Sequence, residues 1–438
     1  MKILILCDEV WNDRINGNNV LSNWFEDFDA EFANIYLSPG LPLNNCCNKY
    51  FRVTDSQMIR SIIKGEKAGE IIYEQENRKS QLEKYNSTDV KNIGFLRKYC
   101  GNFLRFLKNI VWTLGKYNEE LLEKFITEFK PDIIFSARFA TGKVLRMEKT
   151  ILKYTKCPIV AFTGDNEYSL RRFEFSPVFW INHMYLRTKL KQMMPKYSLY
   201  YTLSKEQKME YEEIFNINAK VLMKCGNFED ECIKKSVALP IKIVYAGRLY
   251  MNRWKTLAEI GKSLKDINRD KTKVILEIYT RDNISKKQHQ VLNDGKNIFL
   301  KGGVHPEELK EIYKNADIAL HVESFDLKSR YSTRVSFSTK IIDCLASSCA
   351  VMAIAWKQHS GITYLRREDA AICIDNLSKL HSTLTEIAND PNIVLNYQKS
   401  AWECGRKNHY KKEVQQKIYK DFEEIINENS MDCKYVEI

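Results

Sequence analysis

Ser336-Phe337-Ser338-Thr339-Lys340-Ile341-Ile342-Asp343 brings hydroxyls, an amine and a carboxylate within reach of one another. A helix beginning near Ser338 would leave the N–H groups of its first turn facing the preceding turn. Ser338 and Thr339 can cap those groups, and the positive end of the helix dipole attracts phosphate. Lys340 adds a full positive charge, and Asp343 can accept hydroxyl hydrogen bonds. Together they suit a diphosphate joined to a ribose, as in a nucleotide-sugar. A capped helix that packs Ile341, Ile342 and Leu345 into a core accounts for the same residues. The segment decides nothing by itself.

Other loops carry compatible chemistry. Gly247-Arg248 follows the apolar run Ile241–Ala246, and Arg253-Trp254-Lys255 comes shortly after. A glycine past a strand turns the chain sharply at the carboxyl edge of a sheet, where open α/β sheets bind ligands. Arg248, Arg253 and Lys255 are then placed to grip a diphosphate, arginine by paired donors and lysine as a point charge. A solvated basic loop anchored by Trp254 fits equally well. In the first half, Gly164-Asp165-Asn166-Glu167 follows Ile159–Thr163. Asp165 there could orient or deprotonate an acceptor hydroxyl, or simply make an Asx turn. The loop containing Gly17 and Asn18, after the first strand, is a second candidate for acceptor contact.

The elements that must position these residues are short apolar runs alternating with helix-length segments. One series reads Ile3–Cys7, Ala33–Leu37, Asp132–Ser136, Ile159–Thr163, Leu199–Leu203 and Val221–Lys224. A second reads Ile241–Ala246, Val274–Tyr279, Ile298–Lys301, Ile318–Val322, Ala350–Ala355 and Ala371–Ile374. Such alternation predicts parallel sheets covered on both faces, and two series predict two doubly wound α/β domains facing across a cleft. The expected boundaries are 1–235 for an acceptor-binding domain and 236–405 for a nucleotide-sugar-binding domain. A final helix, 406–438, carries Val414, Ile418 and Phe422 on one stripe and could cross back to the first domain.

Composition narrows the class. The chain has 438 residues, with Lys+Arg 68 against Asp+Glu 56, a net charge of +12 that favours acidic partners. Its twelve cysteines form no Cys-x-x-Cys pair, so zinc spacing is missing, no metal is expected, and they read as reduced core residues. Met1 to Asp8 reads as a first strand and not a signal peptide, and no apolar run approaches the roughly 18 residues of a membrane helix. A cytoplasmic protein is expected. The stretch 95–112 mixes Arg97, Lys98, Arg105 and Lys108 with Phe95, Phe103, Phe106, Leu107, Ile110 and Trp112. It fits either a core-packing helix with a wet basic face or contact with the inner face of a membrane. No interleaved aromatic and basic sheet face suggests nucleic acid. Asp27-Phe28-Asp29 matches a metal-binding Asp-x-Asp in letters but sits among Glu26 and Glu31 on a solvated face. No Gly-x-Gly-x-x-Gly follows the first strand, which argues against a nicotinamide enzyme.

Gly247-Arg248, then Gly302-Gly303-Val304 with Glu308-Leu309, Tyr313 and Ala316-Asp317, then Ser338-Thr339-Lys340 with Asp343, occur in one order. Over residues 241–375 this resembles the donor domain of the GT-B glycosyltransferases, particularly the retaining Glu-x7-Glu family and a bacterial surface-polysaccharide subgroup. The resemblance implies two Rossmann-like domains and transfer of a sugar, of hexosyltransferase type, from a nucleotide diphosphate sugar to a glycan or lipid-linked acceptor. It implies donor contacts from Gly247, Arg248, Arg253, Lys255, Glu323, Ser338, Thr339, Lys340 and Asp343. Asp343 stands at the ribose-binding glutamate of the motif, and Val335 at its first glutamate, for which Glu323 is the candidate substitute. Catalysis would rest on Arg253, Lys340 and Asp165, with the diphosphate stabilised by fixed cations and no cofactor or metal. A GT-B-shaped sugar-nucleotide epimerase and a non-catalytic protein binding through its basic surface remain as alternatives.

Overall fold

The computed structural model describes residues 1–14, 20–73, 90–138, 141–229 and 234–436. The chain forms two compact units. One comprises Met1–Leu170, Glu174–Leu222 and Gln415–Ile438, and the other Arg171–Phe173 and Met223–Val414.

The first unit is built on β1 (Lys2–Cys7), β2 (Glu31–Tyr36), β3 (Lys49–Arg52), β4 (Glu70–Tyr73), β5 (Ile133–Arg138), β6 (Ile159–Thr163), β7 (Tyr197–Thr202) and β8 (Ala219–Val221). They form one sheet in the order β4-β3-β2-β1-β5-β6-β7-β8. Every neighbour pair is parallel except β3 with β4. The central strands β1 and β6 are apolar over Ile3–Cys7 and Ile159–Phe162, as burial on both faces requires. Leu4, Leu6, Ile134 and Ala161 enter one core cluster. On the opposite face Trp24 meets Phe162 at 4.7 Å, Phe25 meets Phe135 at 5.3 Å, and Phe422 lies 5.8 Å from Phe135.

Strands β3 and β4 escape the sequence pattern because each is only four residues long and opens on a charged residue, Lys-Tyr-Phe-Arg and Glu-Ile-Ile-Tyr. The expected strand Val221–Lys224 lies two residues earlier, because Tyr200 to Thr202 pair with Ala219 to Val221.

The second unit holds β9 (Ile241–Ala246), β10 (Val274–Tyr279), β11 (Ile298–Gly302), β12 (Ile318–Val322), β13 (Ala350–Ile354) and β14 (Ile372–Ile374). Their order is β11-β10-β9-β12-β13-β14, and all are parallel. Order reverses between β9 and β12, so the carboxyl ends of these two strands flank the topological switch point. Ile241, Ile243, Leu276, Ile318, Leu320 and Met352 share a core with Leu257, Ile260 and Leu264 of the helix Arg253–Ile267. Asp317 ties the start of β12 to β9: its Oδ2 accepts from Lys242 N at 2.9 Å, and its Oδ1 pairs with Lys234 at 2.7 Å. Among the described residues no helix is long and apolar enough to cross a membrane.

Candidate functional site

The loop leaving β9 at the switch point begins with Gly247. A Cβ there would stand 2.7 Å from the Lys340 amine and 2.8 Å from the Tyr245 hydroxyl, so glycine allows Lys340 to lie over the backbone. The amine also donates to the Ala246 carbonyl at 3.1 Å, and Tyr245 Oη donates to the Arg248 carbonyl at 2.6 Å. Burial lowers the Lys340 pKa, and the positive charges of Arg253 and Arg248 lower it further. Asp343, one helical turn on, is paired with Lys224 and half exposed.

Arg253 opens the helix Arg253–Ile267 and grips Glu323 as a fork, Nε to Oε2 at 3.0 Å and Nη2 to Oε1 at 2.6 Å. Glu323 follows β12 and is 2% exposed. Burial acts to raise its carboxyl pKa, but the Arg253 charge and the hydrogen bonds Arg253 donates hold it below the ordinary value. Both carboxylate oxygens of Glu323 are thus directed at Arg253, while Val335 is buried and apolar. His321 is wholly buried and burial drops its pKa to about 3, so it stays neutral beside this pair.

The turn into Arg253 is unusual. Met251 and Asn252 both have positive φ, 55° and 60°. Asparagine tolerates this conformation, but methionine is rare there and needs support from its surroundings. Ser329 Oγ donates to the Met251 carbonyl at 3.1 Å, and Asn252 Nδ2 donates to Asp326 Oδ2 at 3.4 Å. Asp326 caps the helix Leu327–Thr333 through Ser329 N at 3.0 Å. Burial works to raise its carboxyl, yet hydrogen bonds from Ser324, Ser329 and Asn252 hold its pKa at about 2. Sequence reasoning missed Asp326 and His321. Asp326 was visible in principle as an N-cap three residues before Ser329, whereas nothing local marks His321.

Three expectations need restating against this geometry. The helix after the hydroxyl turn spans Lys340–Leu345, and Thr339 at its N-cap makes no side-chain capping bond. Thr339 has helical angles, φ −58° and ψ −20°, where an oxygen-capping residue is extended, so the Thr339 hydroxyl does not close that turn. Lys255 is exposed in the first helical turn, 5.9 Å over the Trp254 ring, and Trp254 packs against the core. Arg248 is also exposed.

In the first unit, Asp165 is exposed after β6, and its carbonyl accepts from Gln207 Nε2 at 2.8 Å. Gly17 and Asn18 lie outside the described residues. Nearby, at the ends of β1 and β5, Lys143 is buried against Asp8 and donates to the Leu37 carbonyl at 2.5 Å, while Thr141 Oγ1 donates to Asp8 at 3.0 Å. These bonds occupy Lys143 structurally.

No protein-family model and no curated protein matches the sequence. Solved structures do. Sucrose-phosphate synthase from Thermosynechococcus elongatus superposes with a TM-score of 0.63 at 10% identity, over 98% of this chain and 99% of that one. Anabaena HepE in complex with UDP gives 0.61 at 12%, over 97% and 100%. TarM gives 0.60 at 10%, over 96% and 98%. The fold is GT-B. In this GT-B chain the second unit gathers Gly247, Arg253, Glu323 and Lys340 at its switch point, with Arg248 close enough to act on Lys340 electrostatically. Asp343 shares the Lys340 helix, and Lys255 is exposed in the helix that Arg253 opens.

Proposed function

We propose that this chain is a glycosyltransferase that moves a sugar from a nucleotide diphosphate sugar to a glycan or lipid-linked acceptor in bacterial surface-polysaccharide synthesis. The observation that carries this is the part-buried Lys340 amine lying over Gly247 and donating to the Ala246 carbonyl at the switch point where Glu323 holds Arg253; burial, and then the charges of Arg253 and Arg248, lower its pKa, while Asp343 is paired with Lys224. Like charges held together against burial are relieved by a bound polyanion, and a diphosphate has the size and charge to do so. HepE binds UDP and glucose, and S. aureus TarM was captured with UDP and α-GlcNAc-glycerol. These support a uridine nucleotide as the first donor to try.

In this reading the Arg253 guanidinium, aimed by Glu323, and the Lys340 amine stabilise the diphosphate as it leaves, and no metal or cofactor is needed. The transfer is of hexosyl type. Asp343 accepts the ribose hydroxyls, exchanging its partner Lys224. Thr339, whose hydroxyl is not used in capping, and Ser338 donate to phosphate oxygens. Asp165 orients or deprotonates the acceptor hydroxyl. Contact with the inner face of a membrane through 95–112 goes with a lipid-linked acceptor.

Calorimetry of the whole protein with UDP in excess chelator tests the donor half of this proposal. Binding without added cation is expected, and a strict requirement for magnesium or manganese would overturn the fixed-cation mechanism. Product analysis with a nucleotide-sugar panel tests the rest. Conversion of the donor to an epimer without any acceptor would favour the epimerase, and no consumption of any donor would favour a binding protein.

A further inference from the structure

His321 lies on β12 two residues before Glu323, so the two side chains leave the extended chain by one face. The β12–β9 ladder ends at Ala319, and beyond it the strands part at the switch point, where His321 is buried. Its Nε2 has no hydrogen-bond partner and stands 3.7 Å from Glu323 Oε1, too far for a bond. A neutral imidazole beside a carboxylate favours the tautomer with its proton on the facing nitrogen. A buried donor therefore stops just short of a buried acceptor, and leaving it unmade costs stability. A phenylalanine ring would fill the place without that cost.

Glu323 is not free to close the gap. Its N–H donates to the Ile354 carbonyl at 2.9 Å, and its own carbonyl accepts from Thr256 Oγ1 at 2.8 Å. On the far side, His359 is 6.1 Å from the His321 ring and is fixed as the cap of the helix Ser360–Arg367, its Nδ1 accepting from Gly361 N at 3.1 Å. The partner that can shift is Arg253. It meets Glu323 through Nε and Nη2, which leaves the Nη1 side of the guanidinium for a second acceptor. An anion on that side draws the guanidinium away from Glu323 and lengthens the Nη2 contact to Oε1.

We propose that His321 is the positioning residue of this site: as a diphosphate draws Arg253 toward itself, His321 Nε2–H takes over Oε1 of Glu323. The buried carboxylate then keeps two donors, one from Arg253 Nε and one from His321, while the rest of the guanidinium serves the ligand. Only hydrogen bonds are exchanged, and no proton changes owner. The inference rests on the glycosyltransferase reading, which puts the diphosphate at Arg253.

The test compares His321→Phe and His321→Gln in the full chain, by melting temperature and by calorimetry with UDP and with pyrophosphate. His321→Phe keeps a flat ring and removes the donor. It should melt close to wild type yet bind both ligands about tenfold more weakly, the low end for a hydrogen bond to a charged group. His321→Gln supplies an amide N–H in place of the ring N–H and should recover most of that affinity. With a donor sugar that wild type consumes, His321→Phe should lose more in kcat than in KM, because Arg253 is needed most as the diphosphate leaves. Wild-type affinity in His321→Phe, or a loss that His321→Gln does not restore, overturns the inference alone. Wild type that binds neither UDP nor pyrophosphate overturns the glycosyltransferase reading, and this inference with it.

Discussion

At the residue scale the decisive contact is the Arg253–Glu323 fork. Removing Arg253 altogether would leave a buried carboxylate without its partner, so Arg253→Ala would mix a folding defect with any catalytic one. Arg253→Lys keeps the charge and loses the paired geometry. It should lower turnover more than it weakens UDP binding, because leaving-group charge grows toward the transition state. Steady-state kinetics checks this, and equal effects on both would place Arg253 in ground-state binding. Glu323→Gln should destabilise the protein by about 3–5 kcal/mol, the range for breaking a buried pair, read as a fall in melting temperature. His321 gives a pH prediction. Its folded pKa of about 3 lies below the ordinary 6.5, so between these values the unfolded chain holds the extra proton. Stability from this group is complete above 6.5 and declines as pH falls toward 3. His321→Leu should make the acid limb of a denaturation profile shallower by up to about 1.4 kcal/mol per pH unit. An unchanged limb would mean that His321 does not stay neutral.

At the scale of elements, two short segments set the candidate site: the turn Arg248–Arg253 and the cap at Asp326. The left-handed Met251 and Asn252 hold only while Asp326 and Ser329 grip them, so Asp326→Ala should loosen the turn that delivers Arg253. We expect weaker UDP binding by about 1.5–3 kcal/mol, the range for hydrogen bonds to a charged group, measured by calorimetry. Retained affinity would show that the turn holds itself. The close approach of Lys340 to Gly247 adds a second handle. Because burial and neighbouring cations lower the Lys340 pKa, a bound diphosphate should raise it again and draw in a proton. UDP affinity should therefore be level at neutral pH and fall as pH rises through the lowered lysine pKa. Calorimetry in buffers of different ionisation enthalpy reports that proton directly.

At the scale of the whole molecule, the chain returns from the second unit to the first within its last helix, Lys411–Val436, where the first unit resumes at Gln415. Asp421 there accepts from the Tyr201 hydroxyl at 2.5 Å and pairs with Lys220 at 2.5 Å, while Phe422 seals the aromatic face of the sheet. Asp421→Ala should cost about 1–3 kcal/mol, since the buried Tyr201 hydroxyl loses its acceptor. Phe422→Ala should cost about 3–5 kcal/mol by opening a cavity against Phe135. Chemical denaturation measures both, and a wild-type midpoint for Phe422→Ala would show that the helix is dispensable to the first unit.

Strand pattern alone determined the α/β class, the two parallel series and most strand positions, because strands buried on both faces must be apolar along their length. Ile159–Thr163, Ile241–Ala246, Val274–Tyr279 and Ile318–Val322 were legible to the residue. β3 and β4 were not, because a four-residue strand opening on a charge becomes a strand through its neighbours. Candidate cations were equally legible as letters, since a lysine or arginine after a strand-ending glycine is a local pattern. Their partners were not. Glu323 lies seventy residues from Arg253, and Lys224 over a hundred from Asp343. Such pairings depend on which strands adjoin in the sheet, and β9 meets β12 only after two intervening strands have gone to the other side. Tertiary structure alone decided that Glu323 serves Arg253, that the Thr339 hydroxyl caps nothing, and that in the helix Val90–Leu114 Trp112 is buried while Phe103, Leu107, Ile110 and Leu114 are exposed. The sequence shows how many faces a helix has, and only packing chooses which of them is buried.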